Sequence, residues 1–305
     1  MEIKFSVIVN CKNSQEYLND CLESILNQSH KNFELIIIDN NSIDSTFNII
    51  NTFNDERIKY YNTERDLSLG AARNLGIKYS TGSYIGFLDS DDLWHKNKLE
   101  ETRKTIELYD SSIIYSNVSY FNEKKSQKLY SNDKSFNSNI FEQQIESYNL
   151  CISSCIINKF YLLKLDFYFD EKLEVCEDYD LFLRLLMQQS ASYIPEVLTR
   201  YRIHQNNLTK KKRFLFFEER NFVVERLKKV YHLSDFLYNR MINQILFDKC
   251  IAFWKEKNNS KAISLLLHKI NFNFFKKGAY LFAFIFPYNT VVSIYKLFNT
   301  KNLDI

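Results

Sequence analysis

Near-continuous apolar runs alternate with amphipathic stretches through the first two hundred residues. Phe5-Ser6-Val7-Ile8-Val9 and Phe33-Glu34-Leu35-Ile36-Ile37-Ile38 have the pattern of strands buried on both faces in a mainly parallel sheet. Between them Tyr17, Leu18, Cys21, Leu22, Ile25 and Leu26 recur at helical spacing. Asp39-Asn40-Asn41-Ser42 closes the second strand, and Ser42 or Asp44 is placed to cap a helix that runs to Ile50. Arg57 to Tyr61 predicts a shorter third strand. Leu69 to Tyr79 predicts a helix with Ala71, Ala72, Leu75 and Ile77 on or near its apolar side, and Tyr84 to Leu88 a fourth buried strand. Strands and helices thus alternate about every 25 residues, the βαβ rhythm of an α/β fold with right-handed crossovers. The expected architecture is a doubly wound mixed sheet flanked by helices, followed by a small helical C-terminal region.

Farther along, a helix is expected over Leu93–Tyr109, with Leu93, Trp94, Leu99, Ile106 and Leu108 toward the core. Ile113-Ile114-Tyr115 reads as a fifth strand, Asn117 to Asn139 as a polar hairpin or mobile loop, and Cys151 to Ile157 as another apolar run. Glu177-Asp178-Tyr179-Asp180 opens a helix that buries Leu181, Phe182, Leu185 and Leu186. Tyr193 to Arg202 is strand-like, with Pro195 marking an edge or entry. After His204 a basic run, Lys210 to Arg213, leads into helical sequence, so the expected domains are residues 1–208 and 209–305. Gly278 to Tyr295 holds no charged side chain in 18 residues and is interrupted at Pro287. It reads as a hydrophobic hairpin that either packs on the domain or dips into a membrane interface.

Composition narrows the class without naming a function. Apolar content of 45% and charged content of 25% are ordinary globular values, and a net charge of +3 gives no argument for nucleic acid. The six cysteines lack Cys-x-x-Cys or paired-histidine spacing, so free thiols in a reducing compartment are expected rather than zinc. No signal peptide is visible at the start, and a cytoplasmic protein is expected.

The candidate chemistry sits in Asp89-Ser90-Asp91-Asp92. Three acids follow directly on a buried strand, at the sheet edge where α/β proteins bind ligands. Carboxylates so close repel one another unless a hard divalent cation lies between them. The alternative is a solvated turn or helix cap. Asp39, at the end of another strand, falls on the same carboxyl edge. Neither Gly-x-Gly-x-x-Gly nor Gly-x-x-x-x-Gly-Lys is present.

Several segments in order resemble family 2 glycosyltransferases: Ser6 to Asn13, Tyr17 to Gln28 with Phe33 to Asp44, Ala72 to Ile77 with Gly82 to Asp92, Glu177 to Leu185, and Tyr201 to His204. The resemblance covers about the first 205 residues and implies the GT-A nucleotide-sugar fold. It implies an inverting transferase using a UDP-sugar, a divalent metal (Mn2+ or Mg2+) and a glycan or lipid-linked acceptor in bacterial surface polysaccharide synthesis; the basic run and the aromatic tail add the expectation of peripheral contact with the inner membrane. By resemblance, Asp39 contacts uracil or ribose, Asp89 approaches ribose and metal, and Asp91 ligates the metal. Arg73 helps hold the nucleotide, Asp178 is the base with Glu177 beside it, and Arg202 and His204 close over the diphosphate, His204 as a further metal ligand. Asp92 is assigned to the start of the next helix, and Asp180 to a structural pair with Arg184 at i, i+4. Trp94 is read as core or as acceptor-pocket lining.

The chain departs from the family pattern at Asn10, where Pro is frequent, and at Asp66-Leu67-Ser68, where Asn-x-Gly is usual, which leaves the nucleotide contact of Asp66 open. The Gln-x-x-Arg-Trp of polymerising members is absent, pointing to one sugar per encounter. Two other readings stand beside this one: a sugar nucleotidyltransferase, whose glycine-rich first loop is missing after Val9, and a non-catalytic module keeping the fold.

Overall fold

The computed structural model describes residues 3–122, 126–129, 137–146, 148–271, 280–281 and 283–291. The chain divides into two compact units, Met1–Gln144 with Tyr148–Asn207, and Ile145–Ser147 with Leu208–Ile305.

The strands of the first unit are β1 (Phe5–Cys11), β2 (Phe33–Asp39), β3 (Ile58–Asn62), β4 (Tyr84–Asp89), β5 (Leu93–Trp94), β6 (Ile113–Phe121), β7 (Ser126–Leu129), β8 (Asn137–Ser138), β9 (Cys155–Asn158) and β10 (Ala191–Arg202). The principal helices are α1 (Leu18–Leu26), α2 (Thr46–Ile50), α3 (Leu69–Tyr79) and α4 (Lys98–Leu108). The shorter α5 (Phe141–Glu146) and α6 (Lys159–Leu162) follow, then α7 (Glu177–Leu186). The sheet order is β3-β2-β1-β4-β9-β6-β10-β5, with β7 on β6 and β8 on β10. The first four strands are parallel, β9 runs antiparallel between β4 and β6, and β5 is antiparallel to β10. This is the mixed sheet expected, flanked by helices.

Near-continuous apolar strands follow from burial on both faces. Val7, Val9, Leu35, Ile37 and Leu88 pack with Leu18, Leu22 and Ile25 of α1. On the other face α3 comes so close that a Cβ on Gly76 would lie 2.5 Å from Ile8 Cγ2. Asp44, not Ser42, prepares α2: its Oδ1 accepts from Thr46 N at 3.0 Å.

Three expectations change. Leu93 and Trp94 do not begin a helix; they pair with Arg200 and Thr199 of β10, and the helix starts only at Lys98. Leu108 is therefore 71% exposed, not core. Pro195 lies inside a central strand, where the register shifts between Ile194 and Val197, so its missing N–H is absorbed by a bulge rather than by an edge. Asp180 and Arg184 form the i, i+4 pair expected, but in the core and not on the surface. Both are fully buried at 2.7 Å, and Arg184 also donates to the carbonyls of Phe167 and Tyr168. The reason is that α7 buries every residue from Tyr179 to Leu186, unlike a half-exposed amphipathic helix. Of the Asn117–Asn139 stretch, 123–125 and 130–136 lie outside the described residues.

The second unit consists of α8 (Leu208–Lys211), α9 (Arg213–Val230), α10 (Asp235–Lys255) and α11 (Asn259–His268). Its core joins Cys250, Trp254, Ala262, Leu266, Ile270 and Phe284. Of the uncharged segment, residues 278, 279, 282 and 292–295 lie outside the described residues. Among the described residues no helix is long and apolar enough to cross a membrane.

Removing one member of a buried pair strands the other charge. Arg184→Ala is expected to lower unfolding free energy by about 3–5 kcal/mol, while Asp180→Asn/Arg184→Met recovers much of that loss; urea denaturation of the variants checks both.

Candidate active site

The register pairs Cys11 with Asp39 on one side of β1 and Asn10 with Asp89 on the other. Asp39 and Asp89 therefore flank β1 on one carboxyl edge. After β4 the chain turns tightly, Asp92 N donating to Asp89 O at 2.9 Å. One carboxylate oxygen from each of Asp89, Asp91 and Asp92 lies within 4.8 Å of the others. Burial, then the neighbouring acids, push the Asp91 and Asp92 carboxyls above the usual range; His204 opposes this at Asp91, and Ser153 and the Arg202 amide oppose it at Asp92.

The cluster is held from three sides. Arg73 of α3, buried, donates Nη2 to Asp89 Oδ1 at 2.8 Å and Nη1 to Glu177 Oε1 at the start of α7. His204 Nε2 lies 2.8 Å from Asp91 Oδ2. Its Nδ1 accepts from Asn206 N at 3.1 Å, so in the neutral ring the proton is on Nε2 and is donated to Asp91. Arg202 Nε donates to Asp91 O at 2.8 Å, and its guanidinium lies between the rings of Tyr17 and Phe121, 4.4 and 4.6 Å from their centroids.

Asp92 is not a helix start. It is fully buried, accepting from Ser153 Oγ at 2.6 Å and from Arg202 N at 2.9 Å. Ser153 Oγ also accepts from Asp89 N at 3.3 Å, so one hydroxyl ties both ends of the acidic turn. Trp94 packs in the core and also borders a surface pocket; it donates Nε1 to Ser153 O at 2.6 Å.

Asp178 follows Glu177 and is brought to the same site through the Glu177–Arg73–Asp89 chain. Burial and then the charge of Glu177 push its carboxyl up to about 7, against the pull of Arg73.

Known proteins resemble this chain in sequence and in fold. The model of Glycosyl transferase family 2 matches residues 6–166. The chain belongs to glycosyl transferase family 2. An uncharacterized glycosyltransferase of Rickettsia felis is 34% identical over 205 residues, 66% of this chain and 33% of the relative. The chain thus spans about a third of the length of the Rickettsia relative. The Escherichia coli UDP-Glc:alpha-D-GlcNAc-diphosphoundecaprenol beta-1,3-glucosyltransferase WfgD is 28% identical over 255 residues, 76% of this chain and 91% of that protein. The crystal structure of S. aureus TarS 1-349 in complex with UDP-GlcNAc aligns with TM-score 0.69 and 21% identity, covering 87% of this chain and 80% of that one, a likeness of fold.

Within this family 2 glycosyl transferase, the remaining candidates stand apart from the acidic turn. Asp39 is buried with both oxygens engaged, Oδ1 by Ser42 N at 3.1 Å and Oδ2 by Tyr60 OH at 2.9 Å. Asp66 lies on the surface, 2.5 Å from Lys12 Nζ and 3.2 Å from Asn41 Nδ2. Both polar atoms of Asn10 are buried without a hydrogen-bond partner among the described residues, opposite Asp89 in register.

Sequence reasoning missed Ser153 and Tyr148. The Tyr148 hydroxyl is buried without a hydrogen-bond partner among the described residues, and its ring meets Tyr179 edge-on at 4.8 Å. After burial, Asp178 is the strongest influence raising that phenol. No periodicity or motif distinguishes either residue from any other Ser or Tyr.

A buried hydroxyl without a partner costs folding free energy, about 1–3 kcal/mol for a polar group of this kind. Tyr148→Phe is therefore expected to keep or raise the unfolding free energy. A drop of about 1 kcal/mol or more in urea titration would show that the hydroxyl has a structural partner.

Proposed function

We propose that this chain is a metal-dependent, inverting glycosyltransferase that moves one sugar from a nucleoside-diphosphate donor, a UDP-sugar, to a glycan or lipid-linked glycan acceptor in bacterial surface polysaccharide synthesis. The observation that carries the reading is the Asp89–Arg73–Glu177 chain, which joins an acidic turn at the carboxyl edge to the helix start that holds Asp178. The printed activity of WfgD, glucosyl transfer from UDP-Glc to a GlcNAc-diphosphoundecaprenol, supports the donor and acceptor classes. The reaction is placed at the cytoplasmic face of the membrane, where such an acceptor is presented.

The donor set suits a hard cation. Hydrogen bonds to neighbouring side chains occupy Asp89 Oδ1 and Asp91 Oδ2, leaving the second oxygen of each, and oxygen ligands are what Mn2+ or Mg2+ takes. Asp89 and Asp91 would hold it, with His204 steering Asp91. Both Asp92 oxygens are engaged, so its part is to stiffen the turn. When bound, such a cation takes up charge that develops on the diphosphate as the sugar leaves.

Every other part falls to the chain itself. Asn10 offers an unpartnered donor and acceptor to the nucleoside. Arg73 positions Asp89 rather than reaching the nucleotide, since its guanidinium is directed at two carboxylates. Arg202 supplies positive charge beside the diphosphate. Asp178 accepts the proton of the attacking acceptor hydroxyl, and in-line attack inverts the anomeric centre.

Purified protein with Mn2+ or Mg2+ and a panel of UDP-sugars is expected to release UDP; no release, together with no thermal shift by UDP, overturns the reading. Asp91→Ala is expected to abolish the cation-dependent part of UDP binding in calorimetry, with the fold kept.

A base works only when ionised, and a carboxyl raised to about 7 is protonated below that pH. Transfer kcat/KM is therefore expected to rise with pH through about 7 and level off above it. Asp178→Asn should bind UDP as the wild type does and lose transfer by about 100-fold or more. A raised carboxyl also favours the protonated fold, so its contribution to stability is present below the unfolded carboxylate range and lost as pH rises through about 7. Asp178→Asn should accordingly unfold at higher temperature than wild type at pH above that value, and equal or lower stability there would contradict the burial of Asp178.

A further inference from the structure

The helical unit carries the positive charge of the chain. Residues 208–305 hold 18 Lys and Arg against 7 Asp and Glu, a net +11 in a chain of net +3. Three helix ends gather at one end of this unit. Arg213, opening α9, lies 3.8 Å from Glu256 just past α10, and the Phe214 ring meets that of Phe253 at a tilt, 4.9 Å between centroids. The short link from Lys255 to Asn259 then starts α11. Lys211, Lys255, Lys257 and Lys261 are exposed along these helix ends.

The same end fixes a turn. Trp254 Nε1 donates to Phe286 O at 2.9 Å, and Asn259 Nδ2 donates to Phe284 O at 2.7 Å. Phe284 is buried in the core of the unit. With the backbone held in this way, Ile285 is 70% and Phe286 40% exposed. Two apolar side chains held out on an anchored turn among lysines are ill suited to water. They suit a surface that is apolar within and anionic without.

We propose that this end of the helical unit docks on an anionic lipid bilayer. Ile285 and Phe286 enter the boundary between headgroups and acyl chains, and Lys211, Lys255, Lys257 and Lys261 meet the lipid phosphates. A second copy of the chain is a poorer occupant, because self-association would press like charges together.

The test is sedimentation of the full chain with vesicles of phosphatidylcholine alone or mixed equally with phosphatidylglycerol. Wild type is expected to partition onto the anionic vesicles and to be released by salt. Ile285→Ser/Phe286→Ser and Lys255→Glu/Lys257→Glu/Lys261→Glu are each expected to lower that partitioning by about tenfold or more, with melting temperature and UDP release unchanged. Equal binding to both vesicle types overturns the proposal, as does a variant that binds like wild type. So does a variant that changes only the oligomeric mass in light scattering. No sugar nucleotide enters the vesicle assay, so its failure leaves the catalytic reading intact; loss of UDP release with vesicle binding preserved counts against the catalytic reading alone.

Discussion

The site depends on one buried guanidinium. Arg73 is almost completely enclosed, and an isolated charge there would be prohibitively costly. It is tolerated because Asp89 and Glu177 meet it from two sides. Those acids come from the end of β4 and the start of α7, segments 88 residues apart in the chain. The pairing works in both directions: the arginine needs both acids, and each acid is placed by the arginine. In this way an electrostatic requirement of the core becomes a positional constraint on the proposed cation site and the proposed base. Buried pairs are weak sources of net stability, yet breaking one is costly, which makes this triad better suited to fixing geometry than to strengthening the fold.

Behind the acidic turn the same logic is met with neutral donors. Among the described residues Asp92 has no cationic partner; the Ser153 hydroxyl and the Arg202 amide satisfy it. Ser153 is placed by the Trp94 indole on its carbonyl, and Trp94 by its pairing with Thr199. That explains why residues expected in a helix form a strand. A two-residue ladder with β10 delivers Trp94 to the turn from Ile152 to Ser154, and Arg202, at the end of β10, then closes on Asp91 and Asp92. The bulge at Pro195 lies on the same strand, where the register must change before its last residues can reach the acidic turn.

Much of this was legible before any coordinates. β1, β2 and β4 are buried on both faces, and such strands write themselves as apolar runs. Asp39, Asp89 and Asp91 were legible because strand ends in a doubly wound sheet share an edge. What could not be read was burial of polar groups. Asp180 and Arg184 have the spacing of a surface pair, and only the layers covering α7 on all sides turn them into a core pair. Ser153 and Tyr148 carry no pattern at all; a hydroxyl acquires meaning only from what tertiary packing sets against it. Asp92 is illegible for the same reason, since an acid after a strand is usually a cap and nothing local announces that β10 covers it.

The charge balance of the crevice carries the last step. Asp89, Asp91, Asp92, Glu177 and Asp178 converge where Arg73 is the cation shared between two of them, and the guanidinium of Arg202 is engaged by Asp91 O, Asp20 and two rings. Burial first, and that imbalance second, raise the carboxyls of Asp91, Asp92 and Asp178. Such a crevice repels an anionic diphosphate. On the proposed reading, nucleotide and cation therefore enter as one neutralising pair, and their affinities must be coupled. Asp178 remains outside that exchange because Arg73 is directed toward Asp89 and Glu177. It keeps a proton affinity near neutrality, the condition under which a carboxylate serves best as a base.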